Sequence, residues 1–228
     1  MYPGANSSVS HSLLWWKRLL LPGTLTVLAI GALWLDLPLA HYFGKKPWGG
    51  DLNQTVTLAE AFGYGVTAGL IVLTAAVLDP RGWRVLPRLA ISTFGAGLAA
   101  DVVKLLVGRH RPKDTLHVAT TAMDTFTTWA NHQHIHLTQS FPSAHTATAM
   151  GLAMGLTYLY PRGRWLFAGL TLLAGLQRIH SSNHYLSDVL AGAAIGALVG
   201  ILATSRLRTN AWLDHLEDAA DKSKATKV

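Results

Sequence analysis

The chain has 228 residues, half of them hydrophobic and only 14% charged; a soluble domain of this size carries about a quarter charged residues. That shortfall excludes intrinsic disorder and argues against a water-soluble globule. With no cysteine there is no disulfide framework, thiolate zinc site, iron–sulfur cluster or cysteine nucleophile. The net charge of +7 would point a soluble chain toward nucleic acid, whereas in an apolar chain it marks loops that face the cytoplasm. Membrane lipids, and no nucleic acid, are therefore the expected partners.

In chain order, apolar runs of about the 20 residues needed to cross a bilayer fall at 19–40, 59–78, 85–107, 143–160, 165–178 and 184–203. The fifth is the shortest. The first is preceded by 18 mostly polar residues and contains Asp36, which favours an uncleaved helix over a signal peptide. The expected fold class is all-α, an integral membrane bundle of six transmembrane helices. The expected organisation is a cytoplasmic segment at 1–18, a six-span domain at 19–204 with an outer loop at 112–142, and a charged cytoplasmic tail at 205–228. Alternation puts most of the 19 Lys and Arg, among them Lys17, Arg18, Arg81, Arg84, Arg162 and Arg164, on one side. The positive-inside rule makes that side cytoplasmic and places both termini there. Lys45, Lys46, Lys104, Arg109, Arg111, Lys113 and Arg178 then lie on the outer side, where basic residues need a separate reason. Glycines four apart, Gly65 and Gly69, Gly151 and Gly155, and Gly192, Gly196 and Gly200, predict close helix packing.

Three polar clusters interrupt the apolar pattern. Lys104, Arg111 and Pro112 close the third span, Pro142, Ser143 and His145 open the fourth, and Gln177, Arg178, His184 and Asp188 join the fifth to the sixth. Alternation brings all four helix ends to the outer side. A cation beside an apolar helix is costly unless it is paired or faces a wet cavity, and few acidic residues lie near Lys104, Arg111 and Arg178 in sequence. A phosphate would satisfy all three, since the guanidinium fork binds two oxygens at once. Pro142 and Ser143 predict a helix start whose N–H groups at Ser143, Ala144 and His145 point toward an anion. His184 and Asp188, four apart, fall on one helix face. The carboxylate can hold one imidazole nitrogen protonated and leave the other free as nucleophile or base. Ser181, Ser182 and Asn183 read as a break and N-cap before the sixth span. His145 is available as general acid.

These clusters resemble the type 2 phosphatidate phosphatase (PAP2) superfamily, in its membrane lipid phosphatase branch. The family pattern is K-x6-R-P, P-S-G-H and S-R-x5-H-x3-D. Lys104, Arg111 and Pro112 match the first part, and Pro142, Ser143 and His145 the second, with Ala144 where glycine is usual. Arg178, His184 and Asp188 match the third, with Gln177 where serine is usual. The resemblance implies a phosphatase that needs no metal or cofactor. His184 would be the nucleophile that forms a phosphohistidine, Asp188 would orient it, and His145 would be the general acid. Lys104, Arg111, Ser143, Ala144 and Arg178 would bind phosphate. Undecaprenyl pyrophosphate, phosphatidylglycerophosphate, phosphatidate and the phosphate of lipid A are the substrates it suggests. The alternatives are a lipid phosphotransferase using the same intermediate and a non-catalytic lipid-phosphate binding protein. The expected location is a bacterial inner membrane with the site facing the periplasm.

The outer segment also carries His117, His132, His134 and His136. Alternating histidines can present ligands on one face of a strand, but no acidic or cysteine partner lies beside them, so a solvated or lid-like loop is expected. Asp101 is placed to pair with Lys104, and Lys45, Lys46 and Trp48 are expected among headgroups.

Overall fold

The computed structural model describes residues 7–45, 48–127, 139–205 and 210–216, with side chains from Lys17 onward. The chain is mostly helical. Its elements are α1 (Ser7–Lys45), α2 (Gly50–Ala59), α3 (Gly65–Leu78), α4 (Leu86–Leu106), β1 (Gly108–Arg109), α5 (Pro112–Thr115), β2 (Phe126–Thr127), α6 (Ala144–Leu159), α7 (Arg164–His180) and α8 (Leu186–Thr204). β1 and β2 form a small antiparallel pair that the apolar periodicity did not announce.

Among the described residues three helical stretches are long and apolar enough to span a bilayer: Lys17–Lys45, Gly82–Leu106 and Leu186–Thr204. The expected second span is not one straight helix. It breaks at Gly63 and Tyr64, and the pair Gly50–Phe62 and Gly65–Leu78 bends by 66°; counted together they make a fourth. α6 and α7, at 16 and 17 residues, are each about 25 Å long at 1.5 Å per residue, shorter than a hydrocarbon core of about 30 Å.

α4, α6 and α8 form the centre. α1 packs on α8, α7 on α6, and α2 on α7. Small residues permit this approach. A Cβ on Gly151 would fall 2.1 Å from the Ser92 carbonyl oxygen of α4, and one on Gly192 would fall 2.3 Å from the Ser143 carbonyl oxygen. Gly196 of α8 meets the Ala147 carbonyl of α6 in the same way. Close backbone packing of this kind replaces the hydrophobic effect as the source of helix association in lipid. Gly65 and Gly69 do not share this role: Gly65 has open space around it and Gly69 only an ordinary contact with Phe94. Outward-facing Val27, Leu70, Leu98 and Leu172 are each more than half exposed, as expected of surfaces that meet acyl chains.

The helix ends sort into two levels. At one end, Arg18 donates to Ser205 Oγ, Asp79 accepts from Arg81 and Tyr160, and buried Arg88 pairs with Asp214. At the other end lie the close of α4, the start of α6, the turn from α7 to α8, and the α2–α3 bend.

Candidate active site

His184 sits in the turn between α7 and α8, where Ser182 takes a positive φ of 53°. The His184 and Asn183 N–H groups both donate to the Arg178 carbonyl, at 3.1 and 3.2 Å, which fixes the histidine relative to the arginine six residues earlier. The helix begins two residues later than expected, at Leu186, with Tyr185 as N-cap. Asp188 accepts the Tyr185 N–H at 2.9 Å, and this short polar link sets the start of α8.

The His184 ring is buried, and its Nδ1 lies 2.7 Å from the Ser140 carbonyl oxygen. A carbonyl only accepts, so Nδ1 carries the proton and Nε2 keeps its lone pair. Asp188 Oδ2 lies 3.7 Å from Nδ1. The direct His–Asp hydrogen bond expected from the spacing is thus replaced by one to Ser140. The Ser140 hydroxyl in turn donates to Asp188 Oδ2 at 2.6 Å. Ser140 therefore joins the pair and holds the tautomer.

Ser143 is the N-cap of α6, and its Oγ accepts from Thr146 N–H at 3.4 Å and from the Thr146 hydroxyl at 3.0 Å. The expectation of a free Ser143 N–H is corrected: that group donates to the Asp188 carbonyl at 3.0 Å. The N–H groups left without an intrahelical carbonyl are those of Ala144 and His145, the first two helical positions. The Ala144 methyl packs with Ala96, Ala100 and Ala147, so it is accommodated against α4.

Lys104 pairs with Asp101 at 3.1 Å, as expected, with Asp101 on the exposed side. The charges of Arg178, Lys104 and Arg111 and the His184 ring all act on the His145 imidazole, so the three clusters converge. Arg111 and Arg178 each have a buried Nε–H with no partner. An unpaired buried donor is costly, and each of these two is left able to take an acceptor.

Two features escaped the sequence. Glu60, at the α2–α3 bend, forms an ion pair with Arg178 Nη1, accepts from Gln177 Nε2 at 2.9 Å and lies 3.8 Å from His145 Nε2. The cation cluster therefore has an acidic neighbour that sequence proximity did not supply. Arg109, left without a role by the sequence, is fully buried. Its guanidinium contacts Asp36 at 2.7 Å, Ser187 Oγ at 2.7 Å and Thr125 Oγ1 at 2.9 Å, and it also pairs with Asp188. The Phe126 and Tyr185 rings enclose it at 4.4 and 4.2 Å. Asp36 closes the network by accepting the Ser187 N–H at 3.0 Å. The only hint in the sequence was a carboxylate inside an apolar run.

Other expectations fall elsewhere. Trp48 stacks on His180 at 4.9 Å and meets Phe43 edge-on. Lys45 and His117 are exposed. Lys46 and His132, His134 and His136 lie outside the described residues.

Comparison with known proteins identifies the family. Residues 86–212, more than half of the chain, match the PAP2 superfamily. A lipid A 1-phosphatase of Rhizobium etli is 28% identical over 198 residues, covering 78% of this chain and 80% of the relative. One of Rhizobium johnstonii is 34% identical over 107 residues, covering 47% and 41%. Among solved structures, Aquifex aeolicus LpxE superposes with a TM-score of 0.58 at 20% identity, covering 74% of this chain and 94% of its own. A transmembrane PAP2-type phosphatidylglycerolphosphate phosphatase from Bacillus subtilis gives 0.58 at 18% identity, covering 82% and 99%. The chain belongs to the PAP2 superfamily and is an integral membrane phosphatase, a hydrolase acting on phosphoric esters.

Proposed function

We infer that the protein removes the phosphate from a membrane lipid, with the 1-phosphate of lipid A as the substrate favoured by the names of its relatives. The observation that carries this reading is the pair of unpartnered buried Nε–H donors of Arg111 and Arg178, close to an imidazole whose Nδ1 is engaged and whose Nε2 keeps its lone pair. Phosphate oxygens would take those donors, Lys104 Nζ and the Ala144 and His145 N–H groups, with Ser143 positioning that helix start. Such preorganised donors act where charge develops in the transition state.

His184 Nε2 would form a bond to phosphorus as the bond from phosphorus to the lipid oxygen breaks. That oxygen would take its proton from His145. The Nδ1–H stays on Ser140, and Asp188 balances the positive ring. Water would then attack the phosphohistidine, return a proton to His145 and release inorganic phosphate. The positive charge comes from side chains, so this reading requires no metal. The apolar helices and the bias of basic residues support a six-span inner-membrane arrangement with both termini cytoplasmic and the site periplasmic.

The test is phosphate release by detergent-purified protein, with chelator present, from lipid A, phosphatidate, phosphatidylglycerophosphate and undecaprenyl pyrophosphate, beside His184→Ala. Release from lipid A that is lost in the variant is expected. Unchanged release in His184→Ala overturns the nucleophile, and transfer to an acceptor lipid without free phosphate overturns hydrolysis.

A further inference from the structure

Glu60 reaches both Arg178 and His145. Its place is not an accident of a loose loop. A Cβ on Gly63 would fall 2.5 Å from the His145 carbonyl oxygen, so the α2–α3 bend is pressed onto the start of α6. The Tyr64 ring stacks beside His145 at 6.0 Å. Gln177, the family departure, has a job here: its Nε2 holds the second Glu60 oxygen at 2.9 Å. Because a carboxylate only accepts, the amide turns Oε1 away from it, and Oε1 is buried without a partner. The Glu60 oxygens, fixed by Gln177 and Arg178, thus form a wall of acceptors beside His145.

The side of the site on which this wall stands follows from His145. Glu60 Oε1 lies 3.8 Å from His145 Nε2, and the two side chains are about equally exposed, at 31% and 33%, whereas the two guanidinium Nε atoms are buried. His145 is the group that meets the leaving oxygen. The carboxylate therefore stands beside the group that meets the leaving oxygen.

We propose that Glu60, held by Gln177, is a specificity-determining residue that admits lipid phosphate monoesters and disfavours lipid pyrophosphates. An alcohol leaving group, such as that of a sugar or glycerol, is uncharged and can offer O–H or N–H donors to this wall. A phosphoryl leaving group offers only acceptors and negative charge, which a neighbouring carboxylate repels. The inference rests on the phosphatase reading and narrows its substrate class.

The test compares kcat/KM for phosphatidate and diacylglycerol pyrophosphate, which share one lipid anchor, in wild type, Glu60→Gln and Glu60→Asp. Wild type should prefer the monoester, Glu60→Asp should keep that preference, and Glu60→Gln should shift the ratio toward the pyrophosphate by about tenfold or more. A purely structural role would lower both substrates together and leave the ratio unchanged. A wild-type preference for the pyrophosphate, or an unmoved ratio in Glu60→Gln, overturns the proposal; Glu60→Ala is read the same way if the glutamine variant does not purify. If no lipid yields phosphate, the phosphatase reading fails instead, and calorimetric binding of inorganic phosphate against pyrophosphate still reads Glu60: pyrophosphate should gain in Glu60→Gln, and no gain overturns the assignment.

Discussion

Asp36→Asn isolates the buried network behind Asp188. The side chain keeps its shape and loses its charge. Asp36 accepts three bonds, from Arg109 Nη2 at 2.7 Å, Ser187 N–H at 3.0 Å and Ser187 Oγ at 2.5 Å. Asparagine brings one acceptor and one NH2, so one of these donors must face another donor. Both Asp36 and Arg109 side chains are fully buried, which leaves no water to compensate. Breaking a buried pair by removing one partner costs roughly 3–5 kcal/mol. For a chain of this size each kcal/mol moves the midpoint by about 2–4 °C, so a drop of roughly 6–20 °C in thermal inactivation is expected. Arg109 also holds Asp188, so kcat should fall at temperatures where the variant is still folded. The assay is residual phosphate release after heating, with initial rates measured at low temperature. A shift below about 2 °C with an unchanged rate would refute the network as a support of the site.

Gly151→Ala would set a methyl against the Ser92 carbonyl and the Ala96 side chain, forcing α4 and α6 apart. It should reduce the yield of folded protein in detergent, whereas Gly65→Ala, which meets open space, should leave it unchanged or raise it. In the outer segment the Asp124 carboxyl is held down to about 2 by the Thr120 hydroxyl and the Thr121 and Thr120 N–H groups. With a lowered folded value, its contribution is complete above the ordinary carboxyl range and is lost as pH falls through about 2. Hydrogen exchange at 120–126 should therefore be constant from pH 7 to 5 and accelerate, after correction for intrinsic rates, as pH falls from the ordinary carboxyl range toward about 2; acceleration already between pH 7 and 5 would contradict the assigned bonds.

The parts legible in the sequence are those written locally. Apolar runs located α4, α6, α7 and α8 to within a few residues, whereas α1 begins at Ser7, well before its apolar run, and α2, apart from Ala59, lies outside any of them; the spacing of Lys104 to Arg111 and of His184 to Asp188 pointed to the candidate site. The break in the second span was harder to see because Gly63 and Tyr64 interrupt hydrogen bonding without interrupting hydropathy. Glu60, Asp36 and Ser140 were invisible as site residues for another reason. Each reaches its partner across a long stretch of chain, 118 residues for Glu60 and Arg178 and 151 for Asp36 and Ser187. No periodicity reports a contact of that kind. The His–Asp spacing brings the two side chains to 3.7 Å, but the hydrogen bond it suggested is made instead to the carbonyl of Ser140, 44 residues away.

The basic residues of the outer end can now be separated by what their charge is for. Arg109 is enclosed by Asp36, Asp188 and two rings, and has no surface left for a ligand. Lys104 shares its ammonium with a carboxylate that is itself 57% exposed, so the pair is screened and easily exchanged. Arg178 is divided: Nη1 is given to Glu60 while Nε is left without a partner. Arg111 likewise keeps a buried Nε–H free. A protein that neutralises Arg109 so completely has the means to neutralise the others, and under the proposed function the open donors on Arg111 and Arg178 are the cost of holding a site ready for an anion. The same contrast explains why a carboxylate can stand among these cations without closing the site. Glu60 takes Nη1 of Arg178 and leaves the buried Nε–H without a partner.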